Sequence, residues 1–163
     1  LEESRRYPEI EMDNMLLVVA IHAIDLVRAL AGSEVAEVHS VVRRASSRYM
    51  DVHAALVVFE SGCVAQLIAN YTSDGRLERY EIHGRGISAY LEGIRQGVVC
   101  YDGLRHELVP GSGGAPEQAR FFLDCVKEDR PVGLPAANLD EAVKTMELAE
   151  AILGGLREET TAS

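Results

Sequence analysis

The middle of the sequence alternates between apolar and polar residues, and this two-residue period most constrains the fold. The stretches EVAEVHSVVRR and DVHAALVVFE follow it. Such a period is typical of strands with one buried face, and short turns that contain glycine join antiparallel neighbours. The pattern predicts about seven strands joined as hairpins. Their turns are expected at Ser61–Gly62, Gly84–Arg85–Gly86 and Asp102–Gly103.

Helical periodicity flanks this region on both sides. The N-terminal stretch predicts a helix from about Glu11 to Ala31 that ends at Gly32, because glycine commonly follows the last turn of a helix. Two helices are expected after the strands, one with Pro116 in its first turn and one with Asn138 as N-cap. This segregation favours an α+β fold, a mostly antiparallel open sheet with helices packed on one face.

Length and charge exclude several classes of protein. Residues 1–163 are predicted to form a single α+β domain, since this length is ordinary for one domain. The formal net charge is −10 and the Lys and Arg residues are scattered, which argues against a nucleic-acid partner. The longest uninterrupted apolar run of the opening helix, residues 15–21, is far below the roughly 20 residues of a membrane span. We therefore expect no membrane partner either.

The cysteines point to a reducing environment. Cys63, Cys100 and Cys125 lie far apart, and none belongs to a CxxC pair. This spacing argues against a disulfide framework or a zinc ribbon, so we expect reduced, buried thiols in a cytoplasmic protein. No metal site is expected, since His39 and His53 lie on separate strands without a ligand spacing.

The opening helix places a histidine and an aspartate in the otherwise apolar stretch VVAIHAIDLVRAL. His22 and Asp25 are three residues apart and therefore share one face of the helix. A buried carboxylate needs a partner, which leaves two interpretations. In one, Asp25 pairs with Arg28 and holds the helix to the sheet. In the other, His22 faces a cleft as a proton acceptor with Asp25 beside it. Spacing alone leaves both interpretations open.

Four stretches of the sequence, taken together, resemble one family of enzymes. They are AIHAIDLVRALAGSEVAEVHSVV, VVFESGCVAQLIANYT, YEIHGRGISAYLEG and FFLDCVKEDRPVGLPAANLDEAVKTMELAEAIL. In this order, from about residue 13 to residue 153, they resemble the substrate-side C-terminal domain of glucose-fructose oxidoreductase, inositol dehydrogenase and MocA-type dehydrogenases. The resemblance implies part of an NAD(P)-dependent oxidoreductase that acts on a sugar, a polyol or a related hydroxy compound.

The resemblance also implies roles for individual residues. The family's helix carries an Asp-x3-His-x2-Asp pattern, in which His22 falls on the proton acceptor or donor of hydride transfer and Asp25 on an orienting aspartate. Asn70 and Tyr71, at the end of a central strand, are candidates for substrate binding. Val18 stands where the family commonly has the aspartate that grips a substrate hydroxyl. Polyol binding is therefore expected to be altered.

The nucleotide-binding half of the family has no counterpart in this sequence. The glycine-rich strand-to-helix turn is missing, and GSGGAP at 111–116 has Pro116 in place of the final glycine. NAD or NADP is expected to bind to a Rossmann domain that this chain lacks, and the chain alone is expected to bind neither.

Assembly is the last implication of the resemblance. The sheet often forms oligomer contacts in this family, so a homodimer or a higher homo-oligomer is expected. The stretch HAALVVFESGCVAQLIA is apolar enough to provide an exposed sheet face. The same feature supports the alternative of a stand-alone, non-catalytic binding or dimerisation module derived from this family.

Overall fold

The order of helices and strands is the one that the sequence predicts. A computed structural model describes residues 13–93, 96–109 and 114–156. Over these residues a helix is followed by seven strands and two further helices, which confirms the α+β fold. The predicted helix start at Glu11 and residues 111–113 of the glycine-rich stretch lie outside the described residues.

The opening helix has two parts, a π-helical turn at Leu16–Ala20 and the α-helix α1 at Ile21–Ala31. The strands are β1 Val35–Arg43, β2 Val52–Phe59, β3 Val64–Asn70, β4 Arg79–Gly84, β5 Ile87–Glu92, β6 Gln96–Tyr101 and β7 Leu104–Glu107. The later helices are α2, Gly114–Lys127, and α3, Leu139–Leu153. None of the described helices combines the length and the apolar character that crossing a membrane requires.

Local signals set the helix ends where the sequence places them. Gly32 follows α1 with a φ of 60°, a left-handed conformation that glycine adopts without strain, and its N–H donates to the Arg28 carbonyl at 3.0 Å. Asn138 caps α3, because its side-chain oxygen accepts a hydrogen bond from the Glu141 backbone N–H at 2.9 Å. Both predicted caps are confirmed.

The described residues form two compact units, and the first comprises residues 13–73 and 137–156. Its antiparallel sheet has the order β1-β2-β3. The opening helix and α3 pack on one face of this sheet and bury the hydrophobic core between them. The core residues are Leu16, Ile24, Ala55, Val57, Phe59, Leu148, Ala149 and Ile152.

The opposite face of this sheet is exposed and partly apolar. The strand register places Leu56 beside Gln66 and Ala54 beside Ile68 on this face, because alternate residues of a strand point to opposite sides. Val41, Leu56, Val64 and Ile68 form the open-face patch, and their exposed fractions run from 42% to 70%. Leu56, Val64 and Ile68 belong to the stretch HAALVVFESGCVAQLIA, so they confirm the expectation that it provides an exposed apolar face.

The second unit comprises residues 74–136, of which the structure describes 74–93, 96–109 and 114–136. It contains the antiparallel sheet β4-β5-β6-β7, in which each strand pairs with the next along the chain, and the helix α2. The predicted strands therefore belong to two sheets, a division that hairpin signals do not reveal. The prediction of a single domain over residues 1–163 stays a prediction.

The cysteines are free but differ in burial. Cys125 in α2 is buried, Cys100 in β6 is half-buried, and Cys63 between β2 and β3 is exposed. The expectation of buried thiols is wrong for Cys63, because the tight turn that joins two strands lies at the surface.

The residues after α3 cover part of the free edge of β1. The Val42 N–H donates to the Gly155 carbonyl at 3.1 Å, and Leu156 forms a parallel bridge with Val42. A Cβ atom on Gly155 would lie 2.6 Å from the carbonyl carbon and oxygen of Ser40. This approach of two backbones is therefore open to glycine alone.

His53 is a buried histidine of the first unit. It is fully buried on the helix-covered face of β2, and neither ring nitrogen has a partner among the described residues. Its ring meets that of Tyr71 at 75°, with the centroids 5.8 Å apart. Burial lowers the pKa of His53 below its ordinary value because it removes water from the imidazolium, and the charge of Asp51 opposes this to a smaller extent.

We expect His53 to make the free energy of unfolding fall as the pH drops. The unfolded chain binds a proton at His53 near the ordinary pKa of about 6.5, whereas the folded chain, with its lowered pKa, does not. The full contribution of neutral His53 to stability is therefore present above that pH and is lost progressively below it. Urea unfolding at about pH 7.5 and about pH 5.5 measures the difference, and His53→Leu is expected to reduce it.

His39→Gln is the matched control, because His39 is an exposed histidine of the neighbouring strand. It should keep the pH dependence of the wild type. The prediction fails if His53→Leu leaves the difference in unfolding free energy between the two pH values unchanged.

Candidate functional site

Around its π-helical turn the opening helix exposes a narrow strip of residues. Asn14, Val18 and His22 are exposed, whereas the residues between them are half-buried or buried. Their four-residue spacing is wider than the 3.6-residue turn of an α-helix and fits a helix that contains the π-helical turn Leu16–Ala20. Such turns are frequent at functional sites. His22 is therefore open to solvent directly after this turn.

Asp25 lies three residues after His22 and is held from α3. The Thr145 hydroxyl donates to Asp25 Oδ1 at 2.9 Å. Asp25 is half-buried, and Thr145 is only 3% exposed. A neutral hydroxyl from the far end of the chain thus anchors the carboxylate.

Arg28 supplies a positive charge between the opening helix and α3. Nη1 of its buried guanidinium donates to Thr145 Oγ1 at 3.0 Å and to the Glu141 backbone carbonyl at 2.9 Å. Nη2 donates to Glu141 Oε2 at 2.8 Å. This hydrogen bond from Arg28 holds the pKa of the Glu141 carboxyl below its usual range, and Arg28 and Lys144 add their charges to the effect. We call Asp25, Arg28, Glu141 and Thr145 the Arg28 cluster.

The Arg28 cluster corrects one interpretation of the opening helix. Direct pairing of Asp25 with Arg28 is not what the described residues show, because Arg28 pairs with Glu141 and reaches Asp25 through Thr145. The guanidinium therefore joins the opening helix to α3 and not to the sheet. Glu141 and Thr145 were not singled out from the sequence. The available signal was an arginine in an apolar helix, which needs an acceptor from elsewhere in the fold.

The candidate substrate residues Asn70 and Tyr71 lie at the end of β3 and directly after it. Asn70 ends β3 on the side of the open-face patch, and its side-chain oxygen accepts hydrogen bonds from the backbone N–H and the hydroxyl of Thr72 at 3.0 and 3.2 Å. The Tyr71 hydroxyl donates to the Met15 carbonyl at 3.2 Å, directly before the π-helical turn. Among the described contacts, none joins Asn70 to His22. Their role in substrate binding stays a prediction.

One shallow depression of about 840 Å³ lies elsewhere on the first unit. It is formed by β1, β2 and the residues that end α3, with His39, Ser40, Leu56 and Gly155 among its lining. Neither His22 nor Asp25 borders it. The depression is therefore not the candidate site.

The N-terminus of α3 is poorly suited to the pyrophosphate of a dinucleotide. The N-terminus of α3 is capped by Asn138 and carries Asp140 and Glu141 in its first turn, and these carboxylates would repel a pyrophosphate. The described ranges contain no group of three or more His, Cys, Asp or Glu residues placed to hold a metal. What the site offers is a solvent-open imidazole and an anchored carboxylate three residues apart on one helix face, and no hydrogen bond or ion pair joins the two among the described contacts.

Comparison with known proteins identifies the family. The family model of the GFO/IDH/MocA C-terminal domain matches residues 2–89, just over half of the chain. The chain belongs to this family. No curated protein matches its sequence.

Solved structures of oxidoreductases share the fold. UDP-N-acetylglucosamine 3-dehydrogenase from Acidithiobacillus ferrooxidans is similar with a TM-score of 0.79 and 18% identity, over 92% of this chain and 50% of that chain. A dehydrogenase from Clostridium difficile is similar with a TM-score of 0.73 and 20% identity, over 88% of this chain and 48% of that chain. Biliverdin reductase from Synechocystis sp. PCC 6803, solved with biliverdin and NADP+, is similar with a TM-score of 0.66 and 20% identity, over 86% of this chain and 46% of that chain. The chain spans about half the length of these proteins.

Replacing Arg28 with lysine is expected to destabilise the GFO/IDH/MocA domain. An ammonium group cannot reproduce the fork of donors that reaches Thr145 and the Glu141 carbonyl together. Losing a buried hydrogen bond of a charged group costs about 1.5–3 kcal/mol. In a chain of this size 1 kcal/mol corresponds to about 2–4 °C in Tm, so calorimetry should show a fall of roughly 3–12 °C.

Arg105→Lys is the matched control, since the Arg105 side chain is 69% exposed and pairs only loosely with Glu107 at 3.4 Å. Its Tm should stay at the wild-type value. An Arg28→Lys chain that melts with the wild type would show that the Arg28 cluster contributes nothing to stability.

Proposed function

We propose that this chain is the substrate-side domain of an NAD(P)-dependent oxidoreductase that acts on a sugar, a polyol or a related hydroxy compound. Membership of the GFO/IDH/MocA family and structural similarity to dehydrogenases and a reductase support the class of reaction. In this proposal His22 takes the hydroxyl proton during oxidation and returns it during reduction. The observation that carries the assignment is the exposed His22 three residues from the anchored Asp25.

The chemistry of the two side chains suits this role. Imidazole changes its charge near neutral pH, so it can accept a proton from a substrate hydroxyl and release it again. A carboxylate fixed beside it stabilises the imidazolium that forms. The Thr145 hydroxyl fixes one oxygen of Asp25 at 2.9 Å, and we propose that this carboxylate acts on His22. The helix supplies the spacing between the two groups.

The cofactor is proposed to bind outside this chain. NAD or NADP supplies the hydride chemistry in such enzymes, and the acidic N-terminus of α3 does not suit its phosphates. The biliverdin reductase of similar fold was solved with NADP+, and this chain corresponds to 46% of its length. A Rossmann domain is the proposed partner for the nucleotide, and the 163-residue chain alone is proposed to bind neither NAD nor NADP.

Val18 bears on the proposed substrate. It lies one turn before His22 on the exposed strip and is 42% exposed. A valine side chain cannot accept a hydrogen bond from a hydroxyl. We therefore propose that the substrate places an apolar part against Val18, and that its hydroxyls are bound by other groups. Asn70 and Tyr71 stay proposed substrate-binding residues.

Replacing His22 with alanine tests the proposed reaction. The assay uses an enzyme in which a nucleotide-binding domain precedes this chain, with NAD+ or NADP+ and a panel of sugars and polyols. A positioned general base contributes about 10²–10⁴-fold, so kcat should fall by that factor, whereas the KM for the cofactor should not change. His39→Ala, which removes an exposed histidine of β1, is the control and should keep full turnover. A His22→Ala enzyme within about twofold of the wild type removes His22 from the mechanism.

We also propose that the chain forms a homodimer or a higher homo-oligomer through the open-face patch. Exposed apolar patches mark interaction surfaces in soluble proteins. Leu56 and Ile68 are 43% and 70% exposed on adjacent strands of this face. Contact with a second copy would remove them from water.

Replacing Ile68 with lysine is expected to turn the oligomer into a monomer. The ammonium group would lie at a contact that is otherwise apolar, and its desolvation would oppose association. Light scattering after size exclusion measures the mass. Leu30→Lys, at an exposed position of α1, is the control and should keep the oligomer. A wild-type chain that stays monomeric at high concentration would contradict the proposed assembly.

A further inference from the structure

The hydrogen bonds of Thr145 have a fixed direction. A threonine hydroxyl carries one hydrogen and can donate once. The Arg28 guanidinium can only donate, so Thr145 Oγ1 is the acceptor in their contact at 3.0 Å. The single hydroxyl hydrogen is then left for Asp25 Oδ1 at 2.9 Å. Both contacts exist together only in the order Arg28 to Thr145 to Asp25.

Arg28 also removes the alternative acceptor of this hydroxyl. A threonine inside a helix commonly donates to the carbonyl four residues earlier, which for Thr145 is that of Glu141. Nη1 of Arg28 donates to this carbonyl at 2.9 Å. Thr145 is 3% exposed, so water offers little competition either. Burial and Arg28 therefore direct the hydroxyl to Asp25.

We propose that Thr145 is a positioning residue, whose hydroxyl, oriented by Arg28, fixes the Asp25 carboxylate for its action on His22. The inference rests on the proposed function, since it names the group that keeps Asp25 in place. The second oxygen of Asp25 receives no hydrogen bond from the described residues, and His22 lies on the same side of the helix, three residues earlier. One oxygen is thus anchored, and the proposal assigns the other to the imidazole.

The test observes His22 directly in the 163-residue chain. The Cε1–H resonance of His22 is assigned by its loss in His22→Gln and is followed at fixed pH. Thr145→Val removes the hydroxyl and nearly keeps the shape of the side chain. It should shift the His22 resonance in the same direction as Asp25→Asn does, because both changes free His22 from a fixed carboxylate. Thr145→Ser keeps the hydroxyl and should restore the wild-type position, a rescue that packing alone does not predict.

Two controls separate this effect from general disturbance. Thr72→Val removes another hydroxyl of the first unit, one that contacts Asn70 and Asp51, and should leave His22 unshifted. The resonance of the exposed His39 serves as an internal reference and should stay constant in all variants. If Thr145→Val does not fold, Thr145→Ala removes the same hydroxyl with less strain and takes its place.

The outcomes distinguish the inference from the proposed function. If Asp25→Asn shifts His22 and Thr145→Val does not, Asp25 acts on His22 without help from Thr145, and the inference is overturned while the proposed function stands. If Thr145→Ser shifts His22 as far as Thr145→Val, packing and not the hydroxyl is responsible, and the inference fails. If Asp25→Asn leaves His22 unshifted, the proposed pair itself fails, and the role of Thr145 falls with it.

Discussion

The first unit depends on the neutralisation of one buried guanidinium. Arg28 lies inside the fold, where an uncompensated charge would be prohibitive. Its acceptors come from one turn of α3, namely the Glu141 carbonyl, the Glu141 carboxylate and the Thr145 hydroxyl. Because these acceptors must reach Arg28, they fix the position of α3 along the axis of the opening helix. Because His22 and Asp25 belong to the same helix as Arg28, the same contacts also set where the candidate site lies on the unit.

Local chemistry made much of this fold predictable. Tight turns, the left-handed glycine after α1 and the Asn138 cap are each decided by a few neighbouring residues, so the sequence places them correctly. The two-residue period locates the strands for the same reason. Histidine and aspartate three residues apart must share a helix face, whatever the rest of the chain does. These features need no knowledge of tertiary structure.

Other features arise only from contacts between distant residues. Thr145 meets Asp25 across 120 residues of sequence, and no local signal marks a threonine in the middle of α3 as its partner. Hairpin pairing is local as well, so it cannot say that the strands separate into two sheets. The π-helical turn before His22 is made of ordinary apolar residues and has no motif of its own. The burial of His53 likewise depends on which face of β2 the helices cover.

The backbone contact between Gly155 and Ser40 affects how this protein can associate. A sheet edge with free N–H and C=O groups can pair with another chain, and each added strand presents a new edge, so such growth has no natural end. Pairing of Gly155 and Leu156 with Val42 occupies part of that edge on β1. The oligomer proposed above would use the face of the sheet, where a symmetric contact closes after two copies. Any side chain at position 155 would push this segment away from β1 and leave that part of the edge open to pairing.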